Sequence, residues 1–228
     1  MLWYLYIFII ISSVLIGLIR WRHLSTPLRV IHLLVIIALS VELLKTRLNE
    51  EKDYFVEHLY MRVELLVWLC YYYLILAKNK RIWLMICAIL FIVAIYILKL
   101  FFHVDHWGVN YYDYVLLAVC VSTFTGIFFW ELVFKPMNYS IKEDGNFWVN
   151  CGNFLFYPGL VFAFGFTTYF DKGSPFFAQW LGTINHILNL VLYILYGFAF
   201  YFHKRKRKAS LTFVYNRNCS NPCFAQRV

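Results

Sequence analysis

LWYLYIFIIISSVLIGLI, residues 2–19, is a stretch of 18 residues without a single charged side chain. An apolar stretch of about 18 or more residues is long enough to cross the ~30 Å hydrocarbon core of a bilayer as a helix. The stretch has neither a positively charged leader nor a small-residue cleavage site. We therefore interpret it as a retained membrane-spanning helix rather than as a signal peptide.

The same pattern recurs along the chain, because short polar segments separate further apolar blocks of similar length. Hydrophobic residues make up 62% of the chain and charged residues 14%, whereas soluble domains average ~45–50% and ~25%. The pattern predicts an all-α, seven-transmembrane-helix bundle in one domain, residues 1–203, followed by a basic, flexible tail, residues 204–228. The predicted helices are Leu2–Ile19, Val30–Leu44, Leu59–Ala77, Ile82–Phe102, Tyr111–Phe134, Phe147–Phe170 and Phe176–Phe202.

The distribution of basic residues predicts an orientation. With the amino terminus outside, the inner segments hold 15 Lys and Arg residues and the outer segments hold five. Inner loops are enriched in Lys and Arg, so this split favours an external amino terminus and a cytoplasmic carboxyl terminus. The net charge of +9 then belongs to the cytoplasmic flanks, and no nucleic-acid partner is expected. The economy of the loops suits a bacterial inner membrane.

Ionisable residues inside the predicted helices are the first candidates for a site, since burying them in a bilayer is costly. Glu42 and Glu64 lie at comparable depth on antiparallel helices, and Arg62 can reach the same level. One interpretation is a ligand or cation site open to the outside. The other is an interhelical ion pair that holds the helices together.

Polar residues of the last two helices form a second set. Asn185 and Asn189 share one helix face, and His186 beside them could change charge near neutral pH. Such residues are typical either of polar packing between helices or of a polar pocket. An inner polar cluster is also expected, which consists of His32, Glu131, Asn150 and Asn153.

Evidence for metal or cofactor chemistry is weak. His103, Asp105, His106 and Asp113 are candidate metal ligands in an outer loop, where imidazole and carboxylate would suit zinc, copper or nickel. The last helix has no lysine for a retinal Schiff base, and sequence motifs of common hydrolases and nucleotide-binding enzymes do not occur. We expect no cofactor and no enzymatic activity; a metal-dependent membrane enzyme is the alternative.

Two segments carry a family resemblance. Phe147-Trp148-Val149-Asn150 with the glycines and aromatics after it, and NHILNLVLYILYG over residues 185–197, resemble the last two helices of uncharacterised seven-transmembrane-helix proteins of Bacteroidota-type bacteria. Pro158 departs from that pattern, in which a small or aliphatic residue is expected, and predicts a kinked helix. Such proteins are often encoded beside sensor histidine kinases.

The resemblance implies a non-enzymatic sensory or accessory subunit in the bilayer that passes a signal to a histidine kinase or another cytoplasmic signalling protein. The alternative is a small-solute or ion transporter or channel that uses Glu42, Glu64 and His186. The oligomeric state is left open.

Overall fold

The structure, a computed structural model, describes residues 2–48, 50–77, 111–134, 140–170 and 175–203, and five separate positions between residues 81 and 93. All regular structure in these parts of the chain is helical. The long helices are α1 (Leu2–Ile19), α2 (Thr26–Lys45), α3 (Glu50–Ile75), α4 (Tyr111–Phe134), α5 (Gly145–Phe170) and α6 (Pro175–Phe202), and a short 3-10 turn covers Ile141–Glu143.

Helices α2 and α3 begin four and nine residues before their apolar blocks, whereas α5 and α6 begin only two residues and one residue before theirs. Helix α2 begins at Thr26, after Ser25 in an extended conformation and with Pro27 in its first turn; proline suits that position because its missing N–H has no helical partner there. Helix α3 begins at Glu50, nine residues before the apolar block. Glutamate and lysine are good helix formers, so hydropathy locates the apolar part of a helix but not its end. Helix α5 continues through Pro158 to Phe170.

The predicted helix Ile82–Phe102 lies mostly outside the described residues. Four of its positions are described as helical with exposed side chains, namely Ile82, Ile86, Leu90 and Val93. Their spacing of three to four residues places them on one face of a helix. The tail from residue 204 onwards lies outside the described residues entirely.

In the part of the chain that the structure describes, the six long helices form a closed ring in chain order. Each helix packs against the next, α6 packs back against α1, and α2 also contacts α5 across the interior. The largest fully buried side chains are aromatic, including Trp68, Tyr71, Tyr157 and Phe200. The interior is thus built from rings and polar groups rather than from aliphatic side chains alone.

The outer surface is apolar, in contrast to that of a soluble protein. Ile19 is 81% exposed, Val133 78% and Tyr4 74%. Soluble monomers rarely expose such extended apolar surface. Within the described residues, three helical segments are long and apolar enough to cross a membrane: Thr26–Lys45, Tyr114–Phe134 and Gly182–Phe202; α1 contributes a shorter apolar segment, Trp3–Ile19. These features identify an all-helical membrane protein.

Candidate functional site

A cavity of about 150 Å³ lies inside the ring, towards the end of the bundle where α1 and α3 begin and α2 ends. We call this the cavity end, and the opposite end the closed end. All six long helices contribute to the walls. The lining residues include three carboxylates, a lysine, five tyrosines and two asparagines: Glu42, Glu57, Glu64, Lys45, Tyr6, Tyr60, Tyr114, Tyr157, Tyr193, Asn185 and Asn189.

Helical periodicity brings these side chains to the cavity. On α3, Glu57, Tyr60 and Glu64 are separated by three and four residues, and on α6, Asn185, Asn189 and Tyr193 are separated by four. Residues at these spacings share one face of a helix. These polar stripes of α3 and α6 therefore face the cavity.

Hydroxyl and indole groups, rather than basic side chains, hold Glu42 and Glu64. Tyr6 donates its hydroxyl hydrogen to Oε1 of Glu42 at 3.1 Å. Tyr157 donates to Oε1 of Glu64 at 2.5 Å, and Trp68 Nε1 reaches the same oxygen at 3.4 Å and the Tyr157 hydroxyl at 2.7 Å. Hydrogen bonds to a carboxylate are stronger than neutral ones, so these donors orient both side chains firmly at the cavity wall.

One ion pair lies at the rim of the cavity. Lys45 Nζ is 3.0 Å from Oε1 of Glu57, and both side chains are partly exposed. Lys45 is the single basic side chain among the described residues that line the cavity. The cavity therefore carries three carboxylates against one ammonium group.

The residues expected to gather around Glu42 and Glu64 are placed differently from one another. Asn185 and Asn189 line the same cavity, but their amides bond to each other along α6 rather than across an interface, since Asn189 Nδ2 donates to Oδ1 of Asn185 at 3.1 Å. Arg62 is exposed and is not a lining residue. His186 is also exposed, and its ring lies 6.2 Å from that of Tyr6. The structure thus does not bring the guanidinium to the two carboxylates.

A buried hydrogen-bond network, which we call the polar network, lies nearer the closed end. Tyr72 of α3 is its centre: its hydroxyl donates to Oδ1 of Asn150 at 3.0 Å, receives a hydrogen bond from Asn153 Nδ2 at 3.1 Å and lies 2.7 Å from the hydroxyl of Thr125. Tyr196 of α6 donates to Oδ1 of Asn153 at 2.7 Å. The network therefore ties α3, α4, α5 and α6 together.

The network reaches the loop at the closed end. Asn150 Nδ2 donates to the hydroxyl of Tyr71 at 3.1 Å, and that hydroxyl donates to Asn146 at 3.4 Å. Asn146 in turn donates to Asp144 at 3.1 Å. Towards the cavity, the Trp68 ring packs 5.9 Å from that of Tyr72. Trp68 thus touches both the cavity carboxylate Glu64 and the polar network.

The expected inner cluster is divided in the structure. Asn150 and Asn153 belong to the polar network, whereas His32 lies between α1 and α6. Its Nε2 is 3.0 Å from the Val14 carbonyl oxygen, and its ring packs between Trp21 and Phe200. Glu131 lies at the end of α4, where it accepts a hydrogen bond from the Ala77 amide at 3.4 Å.

The candidate metal ligands cannot be placed together. His103, Asp105 and His106 lie outside the described residues, and so does the side chain of Asp113. Within the described ranges, no group of three or more His, Cys, Asp or Glu side chains is arranged to hold a metal ion.

Sequence reasoning missed the tyrosines. Tyr157, together with Asn146, Asn150 and Asn153, forms a stripe with spacings of four, three and four residues. Two other cavity tyrosines, Tyr60 and Tyr193, extend similar stripes on α3 and α6. They were missed because tyrosine is easily taken for an interfacial anchor. A search for asparagine, glutamate and tyrosine together at helical spacing would have found these inward faces.

The arrangement defines an all-helical membrane protein with a polar, carboxylate-lined cavity above a packed polar network. Comparison with known proteins does not assign the chain to a narrower class. No protein-family model matches the chain, and neither a curated protein nor a solved structure is significantly similar to it.

Proposed function

We propose that this protein is a non-enzymatic sensory or accessory subunit of a bacterial inner membrane, which passes an external or membrane signal to a histidine kinase or another cytoplasmic partner. The cavity would receive the signal and the polar network would transmit it. The proposal includes seven membrane-spanning helices, with the amino terminus outside and the carboxyl terminus in the cytoplasm. The cavity end then faces outward and the closed end faces the cytoplasm.

The observation that carries the proposal is the contact of Trp68 with both regions. Its indole nitrogen bonds at the cavity to Glu64 and Tyr157, and its ring packs against Tyr71 and Tyr72 of the polar network. A change in the position of Glu64 would therefore move Trp68, and through it the polar network that joins four helices. A ligand can shift such an equilibrium only by its differential affinity for the two arrangements, and charged cavity walls offer that difference.

The polar residues inside the bundle also support more membrane-spanning helices than the three segments that hydropathy identifies in the described residues. Helices α3 and α5 are each 26 residues long, about 39 Å at 1.5 Å per residue. Part of their low hydropathy comes from Glu64, Asn150 and Asn153, whose partners lie inside the bundle, and part of that of α3 comes from charged residues such as the exposed Arg62. Intramembrane polar residues usually face the interior in this way.

Recovery of the partner tests the proposal. The tagged chain would be crosslinked in its native membrane, extracted in mild detergent and identified with its partners by mass spectrometry. We expect to recover a histidine kinase or another signalling protein in near-equal amounts. The same partner should be absent from a control pull-down with a tagged, unrelated multi-pass protein of the same membrane. Recovery of the chain alone would contradict the proposal.

Transport is the second candidate function, and one observation favours it: Glu42 and Glu64 line a single cavity between the helices. In proteoliposomes, a transporter would give solute or ion flux that Glu42→Gln and Glu64→Gln remove. A signalling subunit would give no flux in either form. Flux with a folded wild-type chain and no partner would establish transport in place of sensing.

A further inference from the structure

We infer that the cavity binds a small organic cation, held by Glu42 and Glu64 within a cage of tyrosine rings. The inference rests on the proposed sensory function for its biological meaning, since the cation would be the signal. Its chemical basis is independent of that function and lies in the size, charge and aromatic lining of the cavity.

The size of the cavity limits the ligand. Its volume is about 150 Å³. An engineered protein cavity of about that volume accommodates benzene, so roughly six to eight non-hydrogen atoms are a reasonable upper range. A peptide, a nucleotide or a sugar larger than this would not fit without movement of the helices.

The charge of the cavity selects the sign of the ligand. The ion pair between Lys45 and Glu57 accounts for one carboxylate at the rim. Glu42 and Glu64 face neutral donors, namely Tyr6, Tyr157 and Trp68. Among the described lining residues no basic side chain is bonded to either of these two carboxyl groups, and together they favour a cation over an anion.

The tyrosines favour an organic cation over a metal ion. Tyr6, Tyr60, Tyr114, Tyr157 and Tyr193 all line the cavity. The face of an aromatic ring attracts an ammonium or guanidinium group within about 6 Å, and cages of such rings bind quaternary ammonium ligands. Among the described residues, by contrast, no group of three or more His, Cys, Asp or Glu side chains is arranged to hold a metal ion.

The asparagines suggest a second polar group on the ligand. Asn185 and Asn189 line the cavity on α6, and their amides bond to each other. Amide groups placed in this way could also hydrogen-bond to a hydroxyl or carbonyl of the ligand. An amino alcohol or a small quaternary ammonium alcohol combines the size, the charge and the additional polar group.

The test is a titration of the purified full chain in maltoside micelles, which contain no ammonium group. The melting temperature would be measured against tetramethylammonium, choline, ethanolamine and methylguanidinium. The controls are acetate and dimethylbutanol, the neutral carbon isostere of choline. A ligand that binds only the folded state raises the melting temperature with concentration. We expect saturation by at least one cation at or below about 10 mM, and an affinity at least about tenfold lower for the neutral isostere.

Variants locate the binding. Glu42→Gln and Glu64→Gln should each weaken cation binding about tenfold or more, because each removes one charge and preserves shape. Glu131 lies outside the cavity lining, so Glu131→Gln should leave cation binding unchanged. If a glutamine variant does not fold, Val41→Phe provides the second test, since it fills the cavity without altering its charge and should abolish binding.

A short-chain phosphatidylcholine distinguishes a free cation from a lipid headgroup. Stabilisation by choline but not by the lipid supports a free ligand, and stabilisation by both assigns the headgroup as its source. If none of the four cations stabilises the chain, or if the neutral isostere is equally effective, the inference is overturned. Recovery of a kinase partner without cation binding would remove this inference alone, whereas binding without a partner would remove the sensory function alone.

Discussion

The cavity end and the closed end of the bundle use the same residue types in opposite ways. At the cavity end, tyrosines and asparagines surround a space of about 150 Å³ and share it with three carboxylates. At the closed end, tyrosines and asparagines bond to one another, and Asn150 and Asn153 are fully buried. An open polar surface can bind a ligand, whereas a satisfied network holds helices in register. Polar groups inside a membrane protein therefore do not indicate a function until their partners are known.

The largest expected effect is on packing at the closed end. Gly17 of α1 lies against His32 of α2, and a Cβ atom at this position would overlap Cδ2 and Nε2 of the imidazole ring. Gly17→Ala must displace the ring and its contact with the Val14 carbonyl, at a cost of about 1–3 kcal/mol. Thermal unfolding in micelles measures the loss.

Gly126→Ala is the matched control for that variant, since a Cβ there meets no atom of the described residues within 4 Å beyond its own helix backbone. It should be neutral or stabilising by up to ~1 kcal/mol, because alanine is the better helix former. Equal destabilisation by both alanines would show that the α1–α2 contact is not tight.

A smaller effect is expected when the polar network is broken. Asn153→Leu removes the acceptor of the Tyr196 hydroxyl and one of the three hydrogen bonds of the Tyr72 hydroxyl, which keeps Thr125 and Asn150 as partners. Hydrogen bonds between membrane helices average ~0.6 kcal/mol, and an unsatisfied buried group costs more. We expect a loss of about 1–2 kcal/mol in the free energy of unfolding.

The corresponding change at the cavity end, Asn189→Leu, should cost less than about 0.5 kcal/mol. Among the described residues, the Asn189 amide bonds only to Asn185 of its own helix. The comparison of the two ends would fail if both leucine variants lost the same stability.

A double-mutant cycle measures how firmly the cavity holds its carboxylate. Glu64→Gln and Tyr157→Phe remove the two partners of the 2.5 Å hydrogen bond separately and together. We expect a coupling energy of about 1 kcal/mol. The pair of Glu42 and Tyr6, at 3.1 Å, should couple less strongly; a coupling near zero for both pairs would indicate that the carboxylates are not fixed by these hydroxyls.

The smallest effect is expected at the rim. Lys45 and Glu57 are partly exposed, and such ion pairs contribute about 0.2–1 kcal/mol. Lys45→Gln should lower the melting temperature only slightly, and the difference from wild type should shrink as salt is added. A loss that is large and independent of salt would instead place this pair in the buried framework.

The helical architecture could be predicted largely from the sequence, but the placement of individual side chains could not. Helices α1 and α4 have the boundaries that their apolar blocks predict. The start of α3 was predicted nine residues too late, because charged residues continue a helix beyond its apolar part. Glu42 and Glu64 were identified as candidates because charges within apolar blocks are costly, and this rule needs no knowledge of neighbours.

The length and apolar composition of the blocks by themselves determined that this chain is all-helical in its described parts and suited to a membrane, because the bilayer imposes those properties on every spanning segment separately. Which polar residues meet was decided by the tertiary structure. The rotation of each helix about its axis sets whether a residue such as Arg62 faces outward or Glu64 faces inward, and that rotation depends on the packing of all its neighbours at once.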